Sequence, residues 1–214
     1  MGDAATRTGS LREACVQQAL AIIETSGMES LSLRDVARRL GVSHQAPYKH
    51  FSNRDELLAE VVARAFADFA AHLNARPRRS DPADDLAEIG KAYVGYAVSH
   101  PLNYRLMFGT PLPNPDDHPG MLAQAQHAFS ILRHAIDQLP PPEGNASRPA
   151  ADLDALYVWS TIHGLVSVLQ SSAMTTVPVS AATLGKMQQH AFERLRAALG
   201  APLAEPAKGG KPTP

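Results

Sequence analysis

The side chains with the clearest chemistry in this sequence lie between Ser32 and Arg54. Ser32, Ser43 and Arg54 fall where helices are expected to begin, and there free backbone N–H groups and the helix dipole already favour an anion such as phosphate. Two side chains between them offer another chemistry. The Gln45 amide presents a donor beside an acceptor and can pair bidentately with an adenine edge, and the Arg34 guanidinium can do the same with guanine. Tyr48 and Phe51 are spaced by three, which leaves His44, Gln45, Lys49 and His50 pointing elsewhere. The plainer alternative is a compact helical corner without a ligand, with Lys49 a solvated charge.

Such groups need elements that hold them, and SLRDVARRLGVSHQAPYKHF describes two short helices at an angle. Ser32 with Asp35 is a capping-box start, after which Leu33, Val36, Ala37 and Leu40 share one helical face. Gly41 suits a left-handed turn, and Ser43 can cap a second helix from about His44 to Phe51. So short a link forces a sharp crossing, a helix-turn-helix. Pro47 removes only the first intrahelical hydrogen bond, so the second helix is expected to start late or tilt without breaking. A helix opened by Ser10 and Glu13 precedes the pair and carries Ala14, Cys15, Ala19, Ile22 and Ile23 to near Gly27. One capped by Asn53 and Glu56 follows, with Leu58, Val61, Val62, Ala65, Phe69 and Leu73 at helical spacing.

The run Ala-x2-Leu-Gly-Val-Ser-x4-Tyr-x-His-Phe, followed by a capped Arg-Asp-Glu-Leu-Leu, resembles the TetR family of transcriptional regulators over about residues 11–62. Pro47 stands where that family usually has a branched apolar residue, and Arg54 where it usually has lysine. The resemblance implies that Arg34, His44, Gln45 and Ala46 face base edges while Tyr48, Lys49 and His50 meet phosphates or thymine methyls. Farther on, HPLNYRLMFG (100–109) and WSTIHG (159–164) resemble the TetR subgroup named for its Trp-His-Gly signature. That likeness implies a ligand cavity in the C-terminal helices and a four-helix dimer interface built from the last two.

Composition neither requires nor forbids this. A chain of 214 residues with 44% hydrophobic content can bury a sizeable core, and a net charge of −1 gives no basic signature. The single Cys15 excludes an intrachain disulfide and sits on a core stripe. Nothing at the N-terminus reads as a signal peptide, and no stretch is apolar enough to span a membrane, so a cytoplasmic protein is expected. An enzyme would need a nucleophile with its base, or metal ligands, at workable spacing. No HExxH, CxxC or glycine-rich phosphate loop occurs, and His127 and His134, seven apart, lack a carboxylate to complete a site. No catalytic residue, metal or cofactor is therefore assigned.

The expected architecture is all-α, with about nine helices and no strand or repeat. Residues 1–9 read as a disordered arm, 10–55 as the DNA-binding domain, 56–199 as a ligand-binding and dimerisation domain, and 200–214 as a disordered tail. Arg76 to Pro82 is a charged linker, Asp81 before Pro82 opens a helix, and His100-Pro101 closes it. GTPLPNPDDHPG and PPPEGNASRP are loops. A mostly apolar helix runs from about Ala151 to Thr176 with a small-residue stripe of Ser160, Gly164, Ser167 and Ser171, and a last helix spans Ser180 to Leu199. Tyr93, Tyr104, Phe108, Phe129, Trp159 and His163 could line a cavity for an apolar or aromatic ligand, or be ordinary core. The expectation is a homodimeric, effector-released repressor on a palindromic operator in double-stranded DNA. Its rival is a helical protein that sequesters a ligand or metal and whose N-terminal bundle is only structural.

Overall fold

The computed structural model describes residues 2–109, 111–141 and 151–200. Among them are nine α-helices, four short 3₁₀ turns and no strand. The helices are α1 (Gly2–Ser26), α2 (Leu33–Leu40), α3 (Arg54–Asn74), α4 (Pro82–Ser99), α5 (Pro101–Phe108), α6 (Pro119–Asp137), α7 (Ala151–Gln170), α8 (Ala181–Leu184) and α9 (Met187–Ala198). They form two compact units that do not follow chain order. The first takes residues up to 74 together with 96–129, and the second takes 75–95 and the residues from 130 onward.

In the first unit, α1 buries Cys15, Val16, Ala19, Ile22 and Ile23, one helical stripe, and α2 buries Leu33, Val36 and Ala37. Phe51 and the Leu57, Leu58, Val61, Val62 face of α3 complete this core. The Ser32 hydroxyl accepts the Asp35 N–H at 3.1 Å, and Gly41 takes the left-handed conformation at φ 67°. Farther along α3 the core becomes aromatic. Phe66 and Phe69 meet Phe108 edge-on at 5.8 and 6.3 Å, and Phe69 lies 5.1 Å from Tyr96.

In the second unit the charged linker is tied down. Asp85 in the first turn of α4 accepts from Arg76 at 2.7 Å, from Arg78 at 3.2 Å and from the Arg79 backbone N–H at 3.0 Å. Burial works against the Asp85 charge, yet the Arg79 N–H and the Arg76 guanidinium hold its carboxyl below the usual range. Asp81 caps α4 by accepting the Asp84 N–H at 2.8 Å. Helix α7 buries Ala155, Val158, Ile162, Leu165 and Val166, and α9 contributes Leu195.

Four expectations are corrected. Residues 2–9 are not an irregular arm but the first turns of α1. They contain no proline, Ala4, Ala5 and Arg7 favour helix, and extending a helix costs far less than nucleating one. The second helix of the helix-turn-helix is not α-helical: residues 44–46 form a turn and Pro47–Lys49 a 3₁₀ turn. Helix α7 ends at Gln170, where serines and threonines of low helix propensity continue as a 3₁₀ turn, Ser172–Thr176. The last helix is split into α8 and α9 around Gly185 and Lys186, glycine being the weakest helix former after proline. The loop at 142–150 and the tail at 201–214 lie outside the described residues.

Candidate nucleic-acid interface

The irregular second element has a local cause in Pro47. In an α-helix started at Ser43, the Ser43 carbonyl would accept the N–H of residue 47, which proline lacks. That carbonyl instead accepts the Ala46 N–H at 2.9 Å, a tighter i→i+3 bond, and Lys49 to Ala46 (3.3 Å) and His50 to Pro47 (2.9 Å) repeat the pattern. Phe51 closes the segment on the Pro47 carbonyl at 3.0 Å. The proline ring and Phe51 point inward and are buried, which aims the remaining side chains outward.

Ser43, His44, Gln45, Tyr48 and Lys49 are exposed, Ala46 and His50 partly so, and the Tyr48 ring keeps 49% of its surface. Arg34 is exposed on α2 beside them, as is the Ser32 cap. Nine of the ten expected DNA-contacting positions thus lie outward on α2 and the turn after it. Arg54 differs. Its Nε donates to the Leu31 carbonyl at 3.1 Å, Nη2 to the Met28 carbonyl at 2.8 Å, and Nη1 to Asp55 at 3.2 Å.

Charge on this face is thinner than residue types suggest. Asp35 accepts from Arg38 Nε at 3.1 Å and from Arg39 Nε at 3.1 Å, and the Arg38 guanidinium holds its carboxyl below the usual range. Arg34 and Lys49 make no ion pair among the described residues, so of Arg34 and Arg38, four apart on α2, Arg34 alone is uncommitted. The Asp35 pairs are legible in i,i+3 and i,i+4 spacing. A support that sequence reasoning misses is Arg12 on α1, whose guanidinium lies over the Phe51 ring at 5.3 Å and grips Glu60 of α3 at 2.8 and 3.1 Å. Arg12 and Glu60 are 48 residues apart, and nothing local announces their pairing.

Comparison with known proteins decides the family. The family model for Tetracyclin repressor-like C-terminal domains matches residues 86–199, more than half of the chain, and the model for bacterial regulatory proteins of the tetR family matches residues 16–61. This chain belongs to the TetR family. An HTH-type transcriptional regulator of Mycobacterium tuberculosis is 34% identical over 138 residues, which are 58% of this chain and 58% of that protein. The chain therefore aligns with under two thirds of that relative's length. The tetracycline repressor protein class C of Escherichia coli is 40% identical over 70 residues, 33% of this chain and 31% of that one. Among solved structures, SCO4313 superposes with a TM-score of 0.69 at 26% identity, covering 90% of this chain and 98% of that chain. The two curated relatives are named as a transcriptional regulator and a repressor.

The six expected effector residues divide between the units of this TetR chain. Tyr104 and Phe108 lie 5.1 Å apart in the first, which also holds Phe129. In the second, the Tyr93 hydroxyl is 3.1 Å from His163 Nδ1, a hydrogen bond whose donor depends on the imidazole tautomer, and the Trp159 ring is 6.1 Å from His163. Burial pushes the His163 pKa down from its ordinary value, favouring the neutral ring. None of the six lines either of two clefts within the units. One, of about 840 Å³, lies in the second unit among Leu86, Gly90, Ile162, Phe192 and Leu195. The other, of about 760 Å³, lies in the first among Arg12, Glu60, Arg64, His118 and Gln124.

Proposed function

We propose that this chain is a homodimeric transcriptional repressor that binds a palindromic operator and is released by a small apolar or aromatic effector. The observation that carries it is the turn after α2, whose Gln45, Tyr48 and Lys49 face outward over a buried Pro47 and Phe51. Ser32, Ser43, Tyr48, Lys49 and His50 would position the duplex through its phosphates, and Arg34, His44, Gln45 and Ala46 would read base edges.

A two-fold dimer would pair two such turns with two half-sites. Its support is on α7, where Leu153, Leu156 and Tyr157 are exposed on the same face as the Ser160, Gly164 and Ser167 stripe. An effector engaging Tyr104 or Phe108 would act on α3 directly, because Phe108 touches Phe66 and Phe69 on that helix. Within the second unit, Tyr93, Trp159 and His163 offer a phenol, an indole N–H and an imidazole as polar groups of the kind that orient a largely apolar ligand. A coupling of about 1–3 kcal/mol would make a useful switch.

The test is selection of binding duplexes from a randomised pool on the wild-type protein, followed by affinity measurement with variants. Gln45→Ala should relax preference at one position of each half-site by roughly 1–3 kcal/mol, while Tyr48→Phe should weaken all sequences alike. Unchanged preference in a protein lacking both His44 and Gln45 side chains would mean that another element reads the bases.

A further inference from the structure

The reading turn cannot hold itself. Its backbone bonds are of the i→i+3 kind, and Pro47 denies it the first bond of an α-helix. Its aim is set by its flanks, α2 before it and α3 after it, and a single side chain ties the starts of those two helices together. Arg54 is the first residue of α3. Its Nε and Nη2 fork across the carbonyls of Leu31 and Met28, in the turn that leads into the Ser32 cap of α2.

Charge alone does not account for a cation at that position. A helix N-terminus disfavours positive charge, and Asp55 and Glu56 already complement the first turn of α3. The end is otherwise satisfied: Asn53 accepts the Glu56 N–H at 2.8 Å, and Glu56 accepts the Ser52 N–H and hydroxyl, each at 2.6 Å. What fixes the guanidinium is its two backbone acceptors 26 and 23 residues upstream. The ion pair to Asp55 is exposed and adds little. With Nε and Nη2 engaged by backbone carbonyls and Nη1 by the exposed Asp55, Arg54 retains only part of the planar fork that a phosphate would meet.

We infer that Arg54 is a positioning residue: it braces α3 against the start of α2 and so sets the angle at which the reading turn is presented, without itself binding phosphate. This rests on the DNA-binding reading above and replaces one phosphate ligand expected from the sequence. Arginine suits the brace because its rigid planar fork presents separate N–H donors to the two carbonyls, whereas a lysine ammonium would have to meet both from one atom at the end of a flexible stem.

The experiment uses the full chain and a duplex selected on the wild type from a randomised pool, with affinity measured from low to moderate salt. Arg54→Lys keeps the charge and Arg54→Met removes it. If Arg54 is a brace, both variants lose affinity, by about tenfold or more from two charge-assisted bonds. The slope of log affinity against log salt then stays at the wild-type value in both. If Arg54 bound phosphate, Lys would restore affinity and Met would flatten the slope by about 0.9 for each phosphate no longer neutralised, and either result overturns the assignment. Should Arg54→Met fail to fold, as judged by thermal unfolding, the Lys variant decides alone. Failure of the wild type to enrich any duplex is a separate outcome that removes the DNA-binding reading and the brace with it.

Discussion

The exposed face of α7 makes the dimer testable with one substitution. Leu153, Leu156 and Tyr157 keep 68%, 46% and 47% of their surfaces in the protomer. Burying a whole leucine side chain gains about 1.5–3 kcal/mol, so the half of Leu156 still exposed is worth about 1 kcal/mol against a partner. In an isologous interface each substitution counts twice. Leu156→Asp forfeits that gain in both copies and forces two carboxylates toward the interface, for a total of roughly 3–4 kcal/mol, or about a hundredfold to a thousandfold in the dimer constant. Sedimentation equilibrium reads this directly, and operator binding should weaken in parallel. Gly164→Leu adds a second arm. Beyond its own helix, nothing lies within 4 Å of a Cβ built at Gly164, so a side chain starts there into open space in the protomer, and a close partner helix is what would oppose it. Val98→Asp, at a residue on α4 more exposed than Leu156, should leave association unchanged. A Leu156→Asp protein that sediments as the wild type does, or a wild type monomeric at micromolar concentration, would refute the dimer face.

Two further outcomes follow from individual side chains. Because burial depresses the His163 pKa, the folded state binds fewer protons than the unfolded state; stability is therefore complete above pH 6.5 and is lost as pH falls through the depressed value. Thermal unfolding between pH 8 and 5 should show this loss in the wild type and less of it in His163→Gln, and equal losses would reject the assignment. Asp35→Asn should free Arg38 and Arg39 for phosphate, steepening the salt dependence by up to about 0.9 for each arginine engaged. An unchanged slope would show that neither arginine reaches the duplex.

Local chemistry makes much of this fold legible. Ser32, Asn53 and Asp81 cap the helices that their spacing announces, and Gly41 takes the left-handed turn. The illegible parts depend on competition or distance. Pro47 is visible in the sequence as a perturbation, but whether the turn recovers as an α-helix depends on how far the displaced Ser43 carbonyl bond spreads, and it spreads through Lys49 and His50. Arg54 reads as a phosphate ligand because sequence shows a cation at a helix start, while the Met28 and Leu31 carbonyls that it meets lie 26 and 23 residues away, beyond local reading. The aromatic set is scattered along the chain, with Tyr104, Phe108 and Phe129 in one unit and Tyr93, Trp159 and His163 in the other, and apolar spacing says which face is buried and not against what.

The disposition of charge bears on how such a protein would find its site. Around the helix-turn-helix, Arg12 and Arg64 are spent on Glu60 and Glu13, Arg38 and Arg39 on Asp35, and Arg54 on backbone carbonyls. Among the described residues there, Arg34 and Lys49 remain as the uncommitted cations that flank the reading turn. Non-specific affinity for DNA comes almost entirely from phosphate neutralisation, so a surface with so few open cations would bind random duplex weakly. Specific affinity must then come from base-edge pairing by a few short side chains, which rewards only correct geometry. A turn without an α-helical ladder meets that demand when its flanks are rigid. The Arg12 guanidinium over Phe51 and the Arg54 fork onto Leu31 and Met28 would supply that rigidity, so that arginines which in the open would raise affinity everywhere would instead favour one site.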